Sequence, residues 1–226
     1  MAWDMGLHKE CPEIQPTFFG ARGGMLFFLR PSRRKLVSIN DDLNKSLRFM
    51  SGGQDAIDPE LFDAFLIYGC DSNVQDMLAL GKDGFSIAVK QTAFEEFWQD
   101  RAALKLALKL RSITDKPIFV GLQPLPADNA NPDLPADAYA DFCTKSAKLV
   151  FQPLALTLVS QPRQTMANGG CTDASYAKGS DLLQADVKMV DLKHEAADTI
   201  HMNADFGVVW LREFIVRNLR QTSIPR

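Results

Sequence analysis

Apolar and polar positions divide this chain into segments of two periods. Residues 17–19, 25–29 and 36–39 are short apolar runs. They are separated by Gly20-Ala21-Arg22-Gly23-Gly24 and by Pro31-Ser32-Arg33-Arg34. Glycine and proline punctuate strands in this way, so the pattern predicts a three-stranded antiparallel meander. Asp41 or Asp42 can cap a helix reaching about Met50, because a short acceptor side chain satisfies a free N–H of the first turn. Asp58, Pro59 and Gly69 bracket a second helix carrying Leu61, Phe62, Phe65 and Leu66. Ser72 and Gly81 bracket a short third. Residues 1–16 follow neither period and predict an irregular arm.

The next stretch predicts a βαβ unit. Residues 85–90 alternate with a period of two, as a half-buried strand does. Thr92 and Glu95 form a T-x-x-E capping box, and no Gly or Pro follows until past Arg111. Pro117 then leads into the apolar run 118–122, the length of a buried strand. The Leu104-to-Arg111 run alternates as well and would suit a hairpin strand. Helix is preferred there because Leu, Lys, Ala and Arg are strong helix formers, and Arg101, Lys105 and Lys109 then make one basic stripe.

Residues 123–135 hold four prolines among Asp and Asn and predict a loop. A helix over 135–147, a strand over 149–159 interrupted by Pro153, a loop over 160–181 and a strand over 185–192 follow. Val208, Leu211, Phe214, Ile215 and Leu219 line one face of a C-terminal helix. The expectation is an α/β fold, with α+β as the alternative: an antiparallel meander beside a βαβαβ core. It forms one domain over 1–226, with sub-lobes at 17–81 and 84–221. In such a core, loops 123–135 and 160–181 sit at the carboxyl ends of parallel strands, where open α/β sheets bind ligands.

Composition narrows the function classes. Hydrophobic residues make up 46 % of the 226 and charged residues 23 %, ordinary values for a globular protein. No apolar run is long enough to span a bilayer. The first residues lack a basic segment followed by an apolar one, and Cys11, Cys70, Cys143 and Cys171 show no C-x-x-C spacing. The expectation is a cytoplasmic protein with reduced thiols.

Net charge is −3, but its distribution is uneven. Arg22, Arg30, Arg33, Arg34 and Lys35 cluster near the start, and Arg212, Arg217 and Arg220 near the end, around an acidic middle. These cations are the candidate sites for an anionic partner. Phe18, Phe19, Phe27 and Phe28 interleave with the first group, the combination of stacking and phosphate contacts that single-stranded nucleic acids use.

Candidate chemistry is sparse. His194, Asp198 and His201 would share one face of a helix at i, i+4 and i+7, a set suited to a divalent metal. Cys171, after Asn168-Gly169-Gly170, is a candidate thiol nucleophile with His194 or His201 as its base. No nucleotide-binding glycine motif and no G-x-S-x-G occurs, so no cofactor is assigned. The leading expectation is a non-catalytic interaction or assembly protein, a subunit of a larger complex, with a protein partner or self-association. Single-stranded nucleic-acid binding and a metal- or cysteine-dependent enzyme are the alternatives.

Overall fold

A computed structural model describes residues 3–21, 24–79, 84–127, 137–167, 170–180 and 198–220. The architecture is mixed α/β, centred on a three-stranded parallel sheet. The chain opens with helical turns that include α1 (His8–Glu10). These bury Leu7 and Cys11, so the segment expected to be an irregular arm is docked. Apolar side chains at one-turn spacing do this only when a partner helix covers them.

The expected meander is a hairpin of two strands, β1 (Arg30–Ser32) and β2 (Lys35–Val37). Arg33 and Arg34 make its turn with φ of 47° and 63°, the backbone a two-residue hairpin loop requires. Residues 17–19 form no strand, and Met25–Phe28 is a 3-10 turn entered through Gly24 at φ 72°. Lys109 Nζ donates to Phe27 O at 2.6 Å, so this carbonyl is satisfied without a neighbouring strand.

Helix α2 (Asp41–Ser51) occurs where expected, but Asn40 caps it, accepting from Asp42 N and Leu43 N at 3.0 Å each. The second expected helix is largely a strand. Asp58 and Pro59 start one 3-10 turn, Pro59–Leu61, and the chain then extends into β3 (Phe65–Tyr68). Lys116 Nζ donates to the Pro59 and Phe62 carbonyls and holds that turn closed. After α3 (Gln75–Ala79), residues 85–90 enter α4 (Ile87–Asp100) instead of forming a strand. Ser86 caps this helix through Val89 N, so Thr92 lies within it and not at its start. Phe85, Ile87 and Val89 are all exposed. Alternation specifies a strand only when one face is buried and the edges are paired, and neither holds here.

Helix α5 (Ala102–Arg111) follows after a break at Arg101, whose ψ of 127° is extended. Ala103 N donates to Cys70 O at 2.9 Å, drawing the new helix onto the end of β3. Strand β4 (Ile118–Gly121) is buried throughout. Helix α6 (Ala138–Ser146) buries Tyr139, Phe142 and Cys143 and runs on through wider turns to Phe151. The expected strand 149–159 is therefore only β5 (Thr157–Val159), because Pro153 sits in a 3-10 turn and Ala155 reverses the chain at φ 54°. A minor hairpin, β6 (Met166–Ala167) with β7 (Cys171–Thr172), precedes α7 (Ala204–Phe214). The strand expected over 185–192 lies outside the described residues.

The sheet order is β3-β4-β5, all parallel. Ile67, Ile118 and Val120 face a large core with α4, α5 and α6. Phe119 faces a second core with Phe206, Trp210 and Phe214 of α7, against which Leu66 and Val159 pack. Both crossovers thus lie on one face, as successive crossovers of one hand require when the strand order advances one way. Helix α7 and the N-terminal turns cover the other face.

Candidate active site

The carboxyl ends of β3, β4 and β5 open into the loops that begin at residues 69, 122 and 160. The strand order does not reverse among the described strands, so no switch point selects a crevice. The side chains have to locate the site.

Two buried side chains tie these loops together. Ser72 Oγ accepts from Gln123 N at 2.7 Å. Gln161 Oε1 accepts from Leu125 N at 2.9 Å, and its Nε2 donates to Thr165 Oγ1 and Thr172 Oγ1. Gln161 N in turn donates to Tyr139 Oη at 2.8 Å. Burial pushes the Tyr139 phenol well above its ordinary pKa, so it stays neutral and available as that acceptor. Buried polar groups fully bonded to one another act as rigid scaffolding.

Residues 198–203 are fastened to this platform on both sides. Ala127 N donates to Thr199 O at 2.8 Å. Asn203 N donates to Tyr176 O at 2.7 Å, and Asn203 Nδ2 donates to Ser175 O and Lys178 O. Asn203 Oδ1 also accepts from Phe206 N, capping α7. Between these anchors, Asp198 Oδ1 accepts from Ile200 N and His201 N, and Oδ2 lies 2.7 Å from His201 Nδ1.

Burial raises the Asp198 pKa, but the bonds from His201 N, the His201 ring and Ile200 N outweigh it and hold the carboxyl down at about 2. The carboxylate is therefore ionised at neutral pH. It favours the tautomer with hydrogen on Nδ1, which leaves the lone pair on Nε2. The His201 side chain is 55 % exposed against 16 % for Asp198. A shielded carboxylate that holds a half-exposed imidazole is the arrangement of an oriented general base.

Of the expected metal set, Asp198 and His201 are described, and they bond each other. Residues 198–201 are coil and bend rather than helix, because Asp198 bonds the N–H groups two and three positions on and opens a turn. His194 lies outside the described residues. Among the described residues no group of three or more His, Cys, Asp or Glu could hold a metal ion. Cys171 is buried within β7, not displayed on a loop. Cys70 is partly exposed beside a cavity of about 140 Å³ lined by Phe27, Asp71 and Leu106. Burial, then the charge of Asp71, push its thiol up to about 11, which leaves little thiolate at neutral pH.

The basic candidates fall into two separate places. Arg22 lies outside the described residues. Arg30, Arg33, Arg34 and Lys35 stand on the β1–β2 hairpin, whose Leu29 and Leu36 enter the core on the α5 side. Lys35 pairs with Asp58 at 2.8 Å and Arg34 with Glu60 at 3.5 Å. The Phe27 ring meets Lys109 at 4.3 Å and Lys105 at 5.7 Å, while Phe19 packs edge-on to Phe62. Arg212, Arg217 and Arg220 lie beyond the opposite face of the sheet. They bind Glu10, Glu213 and Glu13 at 2.7, 3.2 and 2.9 Å.

Sequence reasoning singled out Asp198 and His201 but assigned them to a metal. It missed Ser72, Gln161 and Asn203, whose roles depend on loops far apart in the chain. One local signal was available: Asp198 and His201, three apart, stand just before the capping Asn203 and an apolar helix face. No protein-family model, curated protein or solved structure matches this chain.

Proposed function

We propose that this chain is an enzyme of hydrolytic or acyl-transfer type, with His201 as general acid–base and Asp198 as the group that orients it. The observation carrying this reading is the Asp198–His201 hydrogen bond, pinned at the carboxyl edge of a parallel sheet. His201 Nε2 takes a proton from an attacking hydroxyl or water and returns it to the leaving oxygen. Asp198 stabilises the imidazolium formed between those steps. Among the described residues, loops 69–74, 122–127, 160–167, 170–180 and 198–203 carry two separate cations, Arg163 and Lys178, against Asp71, Asp173 and Asp198. Phosphoryl groups call for clustered cations, so this environment favours an uncharged carboxylic ester. Four free thiols support a reducing, cytoplasmic setting.

The test is hydrolysis of p-nitrophenyl acetate by the purified chain across pH, with nitrogen NMR of the His201 ring alongside. His201→Ala should lose about 100-fold or more in kcat/KM, the range for a general base. Asp198→Asn should lose rate and move the ring proton between nitrogens. Equal rates for the wild type and His201→Ala would remove the proposal. A second reading, an assembly surface, is favoured by a different observation: among the described residues no strand pairs with the outer edge of β3.

A further inference from the structure

We infer that the exposed pair Phe27 and Phe28, with Arg30, Lys105 and Lys109 around it, binds single-stranded nucleic acid. The first observation is the pair of rings. In the turn Met25–Phe28, Met25 and Leu26 pack against the core. Phe27 stays 39 % exposed and Phe28 56 %. Their centroids are 6.3 Å apart and their planes stand at 66°, so each ring offers a separate face to solvent. The turn is also held in place, because Lys109 Nζ donates to Phe27 O at 2.6 Å.

The second observation is the cations. Lys105 and Lys109 stand one turn apart on α5, about 6 Å along its axis. Both lie against the Phe27 ring, at 5.7 and 4.3 Å from its centroid. Arg30 begins β1 just beyond Phe28. It is close enough that its charge, after partial burial, lowers the Lys109 pKa. Like charges gathered this way repel one another, and an anion among them relieves the repulsion. Asp100 reaches Lys105 at 3.4 Å. Among the described residues, Arg30 and Lys109 pair with no carboxylate.

The third observation is where the chain keeps its own acids. The adjoining residues 22 and 23 are Arg and Gly, which add a cation and no carboxylate. The acidic residues of 128–136 and 181–197 lie between Ala127 and Asp137 and between Ser180 and Asp198. Those ends stand with the loops at the carboxyl edge of the sheet, where Ala127 N meets Thr199 O and Lys178 O meets Asn203 Nδ2. Lys109 stands toward the other edge: Arg111, two positions on, bonds the Lys116 carbonyl just before β4. The missing anion is therefore assigned to a partner. Phosphates pair with the cations and bases stack on the phenyl faces, the combination by which single strands are held. An acidic polypeptide would use the cations and leave the rings idle.

The experiment is fluorescence anisotropy of an end-labelled oligothymidylate of about 12 nucleotides, within ordinary single-strand site sizes, titrated with the purified chain at several salt concentrations. Affinity should fall with salt along a log–log slope of about −2, as three phosphate contacts at about 0.7 each require. Phe28→Ala removes an exposed ring and should weaken binding at least about fivefold at fixed salt, the low end for one stacked base, with circular dichroism unchanged. Arg30→Gln with Lys105→Gln should flatten the salt slope. His201→Ala should leave binding at the wild-type level whatever it does to ester hydrolysis, so the two sites are judged separately. Three results would overturn the inference: no binding at low salt, wild-type affinity in Phe28→Ala, or equally tight binding of a labelled polyglutamate of matched charge, which would mark an acidic polypeptide as the partner.

Discussion

Gly121 ends β4 where two rings meet. A Cβ there would lie 2.6 Å from Tyr68 Cδ2 and 2.8 Å from Trp210 Cζ2, closer than real contacts allow. Its φ is not the issue; the space is. Gly121→Ala should therefore push α7 from the sheet and cost about 1–3 kcal/mol, the range for overpacking a core. Urea unfolding checks this, and an unchanged midpoint would mean that the rings move aside freely. The pair Asp198 and His201 belongs to this scale too. Their spacing was legible in the sequence. Their geometry was not, because a helix at 194–201 and a turn at 198–201 present the same residues differently. The turn prevails because the Asp198 carboxylate takes up the Ile200 and His201 N–H groups.

Caps decided the elements more reliably than periods did. Asn40, Ser86 and Asn203 each accept from the first turn of a helix and fix where it begins. Asn40→Ala removes the acceptor for two N–H groups and should cost about 1 kcal/mol, read as a lower thermal midpoint with the fold unchanged. Alternation misled at 85–90, and helical spacing misled at 65–68. Phe65, Leu66 and Ile67 suit a buried helix and a buried strand equally well. Pairing with Ile118, Phe119 and Val120 chose the strand, and those partners lie about fifty residues away. The Leu104–Arg111 alternation went the other way. These strong helix formers became α5, with Leu104, Leu106, Ala107 and Leu110 buried.

At the scale of the whole molecule, the two ends of the chain are tied to each other. Arg212 grips Glu10 through two nitrogens, at 2.8 and 2.7 Å, and Arg220 reaches Glu13 and the Glu10 carbonyl. These cations serve the fold, which is why net charge along the sequence overstated the basic surface. Both pairs are exposed, and exposed pairs are screened by salt. The double variant Arg212→Ala, Arg220→Ala should lower the thermal midpoint slightly in dilute buffer, and the difference should shrink at high salt. The Arg212 hydrogen bond lowers the Glu10 pKa. At Glu13 the bond from its own backbone acts first and Arg220 second. A lowered folded-state pKa gives stability that is present above the unfolded value of about 4.3. It is lost as pH falls through the folded one. The variant should therefore show a shallower loss of stability below about pH 4 than the wild type; equal slopes would mean that the pairs do not persist in solution.

The sequence alone determined the mixed α/β character, helices within 41–51, 92–111 and 204–214, and the buried strand at 118–121. These depend on contacts within a few positions, or on burial so complete that composition reveals it. Tertiary structure decided which apolar runs became strands, where 92–111 breaks, how the two ends pair, and what holds the imidazole. Each of these is a choice between local states of nearly equal energy, and a partner distant in sequence makes it.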